Sequence, residues 1–203
     1  MARFVWRWCG CGLLVSGVVS LPACEAGGVG DPCTPESEYA TDFNGFDSRE
    51  VYVESRSFQC ETRLCLINHF QGRVSCPYGQ REEDLDLPGD APSRCRIPGT
   101  TGEHPEDQIT VPVRAWNTQR SAKQTVYCSC RCDGPDPDAR YCECPDGYTC
   151  TSLVPKMGLP GEQLVGSYCI KRGTEYDEAQ ALQPNCREVP THESCPDPPL
   201  VNP

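Results

Sequence analysis

From residue 50 onward the chain alternates short apolar stretches with proline- and glycine-rich breaks. Glu50-Val51-Tyr52-Val53-Glu54 alternates polar with apolar and predicts a half-exposed strand. Arg63 to His69 predicts a second strand, dense in β-formers around Cys65. Phe70-Gln71-Gly72 then offers a turn, and Arg73 to Cys76 the returning hairpin partner. Cys76-Pro77-Tyr78-Gly79 fits a tight turn, with proline at its second position and glycine at its fourth. Gln80 to Pro92 is acidic and contains proline, which predicts an exposed loop. Ile109, Val111 and Val113 alternate, and Pro112 confines that segment to a sheet edge. Thr125 to Cys132 places Cys128, Cys130 and Cys132 on one face of a strand. Asp133 to Asp138 reads as a rigid acidic turn, after which Arg140 to Cys144 returns with Cys142 and Cys144 on one face. Tyr148 to Val154 and Ser167 to Lys171 predict further strands. One helix is expected, over Thr174 to Leu182, with Thr174 as cap, Asp177 in the reciprocal capping position and Pro184 as stop.

The first residues have a different character. Met1 to Trp8 carries Arg3 and Arg7 and no acid, and Cys9 to Leu21 is apolar or small, broken only by serine. That run fits the apolar region of a secretory leader and is too short to span a bilayer as a helix. A standard cut after Ala23 would leave Leu21 where a small side chain is wanted. Leu21-Pro22-Ala23-Cys24 instead resembles the cleavage box of bacterial lipoproteins, with Pro22 as a departure from the small residue usual there. The resemblance implies cleavage between Ala23 and Cys24, and a diacylglycerol thioether on Cys24, usually with a third, amide-linked acyl chain. Each buried methylene contributes about 0.8 kcal/mol, and one chain alone anchors only marginally, so two or three would hold the protein on a membrane. Glu25 follows where an aspartate would mark inner-membrane retention, so the family rule favours the outer membrane.

The chain has 17 cysteines. With Cys9 and Cys11 in the leader and Cys24 taken by lipid, an even set remains: Cys33, Cys60, Cys65, Cys76, Cys95, Cys128, Cys130, Cys132, Cys142, Cys144, Cys150, Cys169, Cys186 and Cys195. In an oxidising compartment these are expected to pair fully. Residues 33–95 and 128–169 each hold an odd number, so at least one bond must leave each segment. Neighbours on one strand cannot easily bond each other, so their partners lie on other elements. Cys128-x-Cys130-x-Cys132 and Cys142-x-Cys144 look locally like a thiolate metal cluster, which is disfavoured: the spacing is not Cys-x-x-Cys, and His69, His104 and His192 are not near these five cysteines in sequence. The missing Cys-x-x-Cys also argues against a dithiol redox enzyme.

The domain plan that follows is a leader over 1–23, then a lipidated cysteine and short flexible glycine-rich tether over 24–32. A disulfide-stitched β-rich domain covers 33–170, divisible into halves 33–98 and 99–170. A helix and a proline-rich, disulfide-pinned tail occupy 171–203. The expected fold is mainly β, a small disulfide-rich domain with short antiparallel hairpins, long irregular loops and one short helix. Aliphatic runs are short, so the core is thin and crosslinks carry much of the stability. From Cys24 on, sixteen basic residues face 29 acidic ones, a net charge of −13. Such a surface repels nucleic acid, and no basic patch stands out in the sequence.

Candidate chemistry is sparse. Cys142-Glu-Cys144-Pro-Asp-Gly147-Tyr148-Thr-Cys150 resembles part of an EGF-like module, but the gap from Tyr148 to Cys150 is too short for that family's closing loop. We read it as convergence of disulfide scaffolds. Asp133, Asp136 and Asp138 are calcium candidates whose spacing is not that of an EF-hand; a solvated acidic turn is the simpler reading. Glu82-Glu83-Asp84 with Asp86 reads as a solvated run, and Trp116 as a core residue. No nucleophile elbow, zinc-binding helix motif or phosphate loop occurs. The sequence therefore favours a lipid-anchored, cysteine-rich envelope protein acting by binding or structural association. Its expected partners are the membrane, through the N-terminal lipid, and an envelope protein; no cofactor is expected. An extracytoplasmic hydrolase whose site only the fold assembles, and a calcium- or metal-binding module, remain open alternatives.

Overall fold

Strand β2 (Leu64–Asn68) is buried from Cys65 to Asn68, on both of its faces, and this fixes how the other elements are layered. The computed structural model describes residues 27–155, 164–179 and 183–197. β2 lies between β1 (Val51–Glu54) and β3 (Val126–Ser129) in an antiparallel sheet, with Cys65 opposite Cys128 and Tyr52 opposite Ile67. Side chains alternate across a strand. Cys65 and Ile67 therefore share one face with Val126 and Cys128, in a core completed by Phe46, Phe70 and Trp116. Leu66 and Tyr127 face the other way and pack on Tyr168 and Ile170 of a second sheet. That sheet runs in the order β4 (Arg131–Asp133), β6 (Gly166–Lys171), β5 (Tyr148–Val154), again antiparallel. The protein is thus mainly β, with two small sheets, as expected.

The segment 125–132, expected as one strand, is two. Cys130 alone separates β3 from β4, and the two strands belong to different sheets. Its sulfur is bonded to Cys142, its carbonyl accepts the Cys169 N–H at 3.1 Å, and the β4–β6 register shifts immediately afterwards. Cys128, Cys130 and Cys132 consequently reach three different partners: Cys60, Cys142 and Cys150.

All fourteen cysteines from Cys33 onward are paired. Besides these three bonds, Cys33 joins Cys65, Cys76 joins Cys95, Cys144 joins Cys169, and Cys186 joins Cys195. The link that the odd counts demand is Cys60–Cys128, and the tail pair closes on itself. Within the EGF-like run, Cys142, Cys144 and Cys150 each bond a cysteine outside it.

Several expected elements are replaced by irregular chain. Residues 73–76 form a tight turn rather than a hairpin partner for β2, whose two edges are taken by β1 and β3. Gly72, at φ +87°, passes so close to Arg114 that a Cβ would lie 2.2 Å from its carbonyl oxygen. Residues 140–144 are not a strand; disulfides at Cys142 and Cys144 hold them against the second sheet instead. The segment 108–113 makes only single bridges, Gln108 with Arg96 and Val113 with Gln80. The turn at Cys76–Gly79 is present, closed by Gly79 N–H on the Cys76 carbonyl at 3.0 Å.

The helix expected over 174–182 is not helical at 174–177, a 3-10 turn occupies 178–179, and residues 180–182 lie outside the described ones. Thr174 is otherwise engaged. Its hydroxyl donates to the Lys171 carbonyl at 2.7 Å, and its own carbonyl accepts Arg120 and Asn68 side chains. An unexpected single helical turn, α1 (Ala122–Thr125), starts at Ser121, whose N–H donates to the Gln124 side chain at 3.3 Å.

Buried polar side chains serve the long loops. Glu38 and Arg73 form an ion pair at 3.7 Å with both side chains wholly buried. Arg73 donates to the carbonyls of Glu38, Ala40 and Phe43, while the Glu38 carboxylate accepts from Val74 N–H, Ser75 N–H and the Ser75 hydroxyl. Gln80 likewise bridges Cys95, Ile109 and Val111. Arg120 donates to the carbonyls of Asn68, His69 and Thr174. Such groups are costly to bury unless their hydrogen bonds are met.

Two stability measurements follow. Replacing both Cys60 and Cys128 by alanine is expected to cost about 2–4 kcal/mol, read by urea unfolding without reductant. Glu38→Ala strands the Arg73 charge and is expected to cost about 3–5 kcal/mol in the same assay.

Candidate functional site

The loop at residues 55–63, between β1 and β2, carries the most exposed large apolar side chain among the described residues, Phe58. The base of the loop is tied down. The Gln59 side chain pairs with both backbone groups of Thr34, at 3.0 and 2.8 Å, and Cys60 is bonded to Cys128. Inside the loop, Ser57 N–H donates to the Arg63 carbonyl and Arg63 N–H to the Cys60 carbonyl. Arg63 takes φ +64°, a left-handed conformation uncommon outside glycine. On this rigid base Phe58 stands 83 % exposed, with the Arg63 guanidinium 4.7 Å from its ring centre. Arg56 is exposed beside it. The loop helps line a groove of about 650 Å³, together with Glu36, Tyr39 and Glu54. Glu54 is engaged there, accepting the Glu36 N–H at 2.8 Å.

An exposed aromatic ring under a guanidinium, on a braced loop, is chemistry for contact with an apolar or anionic surface. Among the described residues the groove is lined by no histidine or cysteine, and no hydrogen bond joins Glu36 or Glu54 to Ser55 or Ser57. The sequence missed this site because Phe58 reads as an ordinary apolar residue beside a predicted strand. The only local signal was the Arg-x-Phe spacing of Arg56 and Phe58.

Gly27 to Gly30, expected as part of a loose tether, are bound into the fold. Gly27 N–H donates to the Gln59 carbonyl at 2.8 Å, and Glu61 N–H donates to the Gly27 carbonyl at 2.9 Å. Gly30 N–H and the Asp31 carbonyl then pair with the two backbone groups of Cys128, each at 2.8 Å. Ala23 and Cys24 lie outside the described residues.

The other candidates stay apart. Asp133, Asp136 and Asp138 are exposed, and Asp133 and Asp136 spend a carboxylate oxygen on a local backbone N–H. The acidic run at 82–86 is a 3-10 turn, and Asp84 is not merely solvated: it pairs with Arg187 at 2.9 Å in a partly buried setting. Trp116 is in the core, its indole N–H on the Arg73 carbonyl at 2.6 Å. His104 precedes a 3-10 turn in exposed chain, and His192 accepts the Ser194 N–H.

His69 is half-buried. Its Nδ1 lies 3.0 Å from the Ser48 carbonyl, so that nitrogen carries the proton, and its ring stacks on Tyr176 with centres 3.9 Å apart. Among the described residues, no carboxylate bonds the ring. Nearby Asp47 is bound to Arg49 through two oxygens, and that pairing holds its carboxyl well below the usual range. Desolvation holds the His69 ring below its ordinary 6.5 and Arg120 adds to this, while the hydrogen bond to Ser48 opposes it.

No family model, curated protein or solved structure matches the chain.

His69 binds a proton less readily in the folded protein than in the unfolded chain. The stability this contributes is complete above pH 6.5 and is lost as pH falls through that value toward the lower folded one. His69→Asn keeps a residue that tolerates the local φ of +53°. It is expected to flatten the unfolding free energy between about pH 7.5 and about pH 5 relative to wild type.

Proposed function

We propose that this is a lipid-anchored protein of the bacterial envelope, attached through Cys24 and acting by binding or structural association. One observation carries the reading. The fourteen cysteines from Cys33 onward pair among themselves, so Cys24 has no partner in that set. It is also the residue that Leu21-Pro22-Ala23 marks for acylation in the lipoprotein resemblance. Seven disulfides suit an oxidising compartment outside the cytoplasm. The working surface in this reading is the braced loop with Phe58 and Arg63, because it offers contact chemistry and holds no paired nucleophile and base. The anchor supplies location, and the crosslinked domain supplies a rigid platform.

Intact mass of protein extracted from its own membranes tests the reading. The expected species begins at Cys24, carries two or three acyl chains, and gains the mass of fourteen hydrogens on reduction. A chain recovered with its leader attached, or beginning at an unmodified Cys24, would contradict it.

A further inference from the structure

We infer that the loop at 55–63 is a second membrane contact, with Phe58 seated in the lipid interface and Arg56 and Arg63 at the headgroups. The inference rests on the proposed acylation of Cys24 and names the surface that the domain meets. Three residues lead from Cys24 to Gly27, a span of at most about 11 Å. Gly27 is not free to carry that chain elsewhere. Its N–H and carbonyl are bonded to Gln59 and Glu61, the residues that flank Cys60 in the loop itself. Phe58 adjoins Gln59, so the exposed ring lies beside the point where the acylated end leaves the fold. A bilayer holding the acyl chains must therefore lie against this part of the surface.

The chemistry of the loop suits that position. Phe58 presents an 83 % exposed ring, flanked in the loop by exposed Arg56 and Arg63 and by the acid Glu61. Arginine can lay its carbon stem along apolar surface and leave its guanidinium among phosphates. Glu36 and Glu54 line the same groove, and Glu54 accepts the Glu36 N–H at 2.8 Å. The bracing of the loop matters too: Cys60–Cys128 and the Gln59–Thr34 pair hold the ring out without further ordering on contact.

The test uses the acylated full protein carrying Phe58→Trp, reconstituted in phosphatidylethanolamine–phosphatidylglycerol vesicles. Beyond the leader, Trp116 is the sole native tryptophan, and it is buried, so the parent protein supplies a constant background. The variant is expected to shift its emission to the blue on reconstitution. Brominated acyl chains should quench it several-fold more than the parent, and aqueous acrylamide should lose access to it. Arg63→Glu in the same background is expected to reduce the lipid quenching. Vesicle-bound, acylated protein whose Phe58→Trp emission stays water-exposed overturns the contact and leaves the anchor standing. A blue shift that needs another envelope protein assigns the loop to a protein partner and also overturns it. Cys24 without acyl chains overturns the anchor, and the contact with it, since nothing would then hold the loop to a bilayer.

Discussion

The Cys60–Cys128 disulfide is the constraint on which the other features depend. Both residues are almost wholly buried, and Cys128 sits on β3 directly opposite Cys65, itself bonded to Cys33. The two bonds lie side by side, with the sulfurs of Cys33, Cys60 and Cys128 within 4.8 Å of one another. Around this point meet the N-terminal segment, the loop at 55–63 and the central sheet. Strand β3 passes on through Cys130 into the second sheet, so the same crosslink that seats the loop also fixes how the sheets adjoin. A thin apolar core would leave these short strands loosely placed; covalent closure restricts the unfolded chain and holds the register.

Between the sheets and the surface the chain is mostly loop, and its backbone groups still need partners. Buried Arg73, Glu38, Gln80 and Arg120 provide them, each reaching several main-chain atoms, most of them outside the strands. Each guanidinium or carboxylate replaces part of a ladder. This is how a protein with few strand residues keeps long segments such as 70–120 ordered. It also makes these side chains structural, although charged residues in a sequence read first as surface.

Legibility followed the same division. Strands β1, β2, β5 and β6 were visible because their alternation or β-former density is local. The need for a bond between the cysteines of 33–95 and those of 128–169 followed from odd counts alone, yet that it is Cys60–Cys128 did not. The break at Cys130 was invisible because residues on both sides suit a strand, and only the bond to Cys142 and the register shift part them. Arg73 to Cys76 looked like a hairpin partner because nothing local reveals that β3 takes that edge of β2. Thr174 looked like a helix cap because its sequence does not show Arg120 claiming its carbonyl. The turn at Ser121 could have been found from its Ser-x-x-Gln spacing. Of the candidate site, the proposal for Cys24 rests on its preceding residues alone. Phe58 was not legible, since an apolar residue announces its exposure only once the loop beneath it is built.

The surface and the scaffold are thus one arrangement. The crosslink that joins the sheets also steadies the segment leading to the N-terminus and the ring that stands beside it. Non-reducing tryptic mapping of the folded protein tests this most directly. The account predicts that the fragment between Arg56 and Arg63 remains joined to the fragment between Lys123 and Arg131 until reductant is added, with none of the fourteen thiols open to alkylation. Release of those two fragments as separate species, or alkylation of Cys60 or Cys128 without reduction, would contradict it.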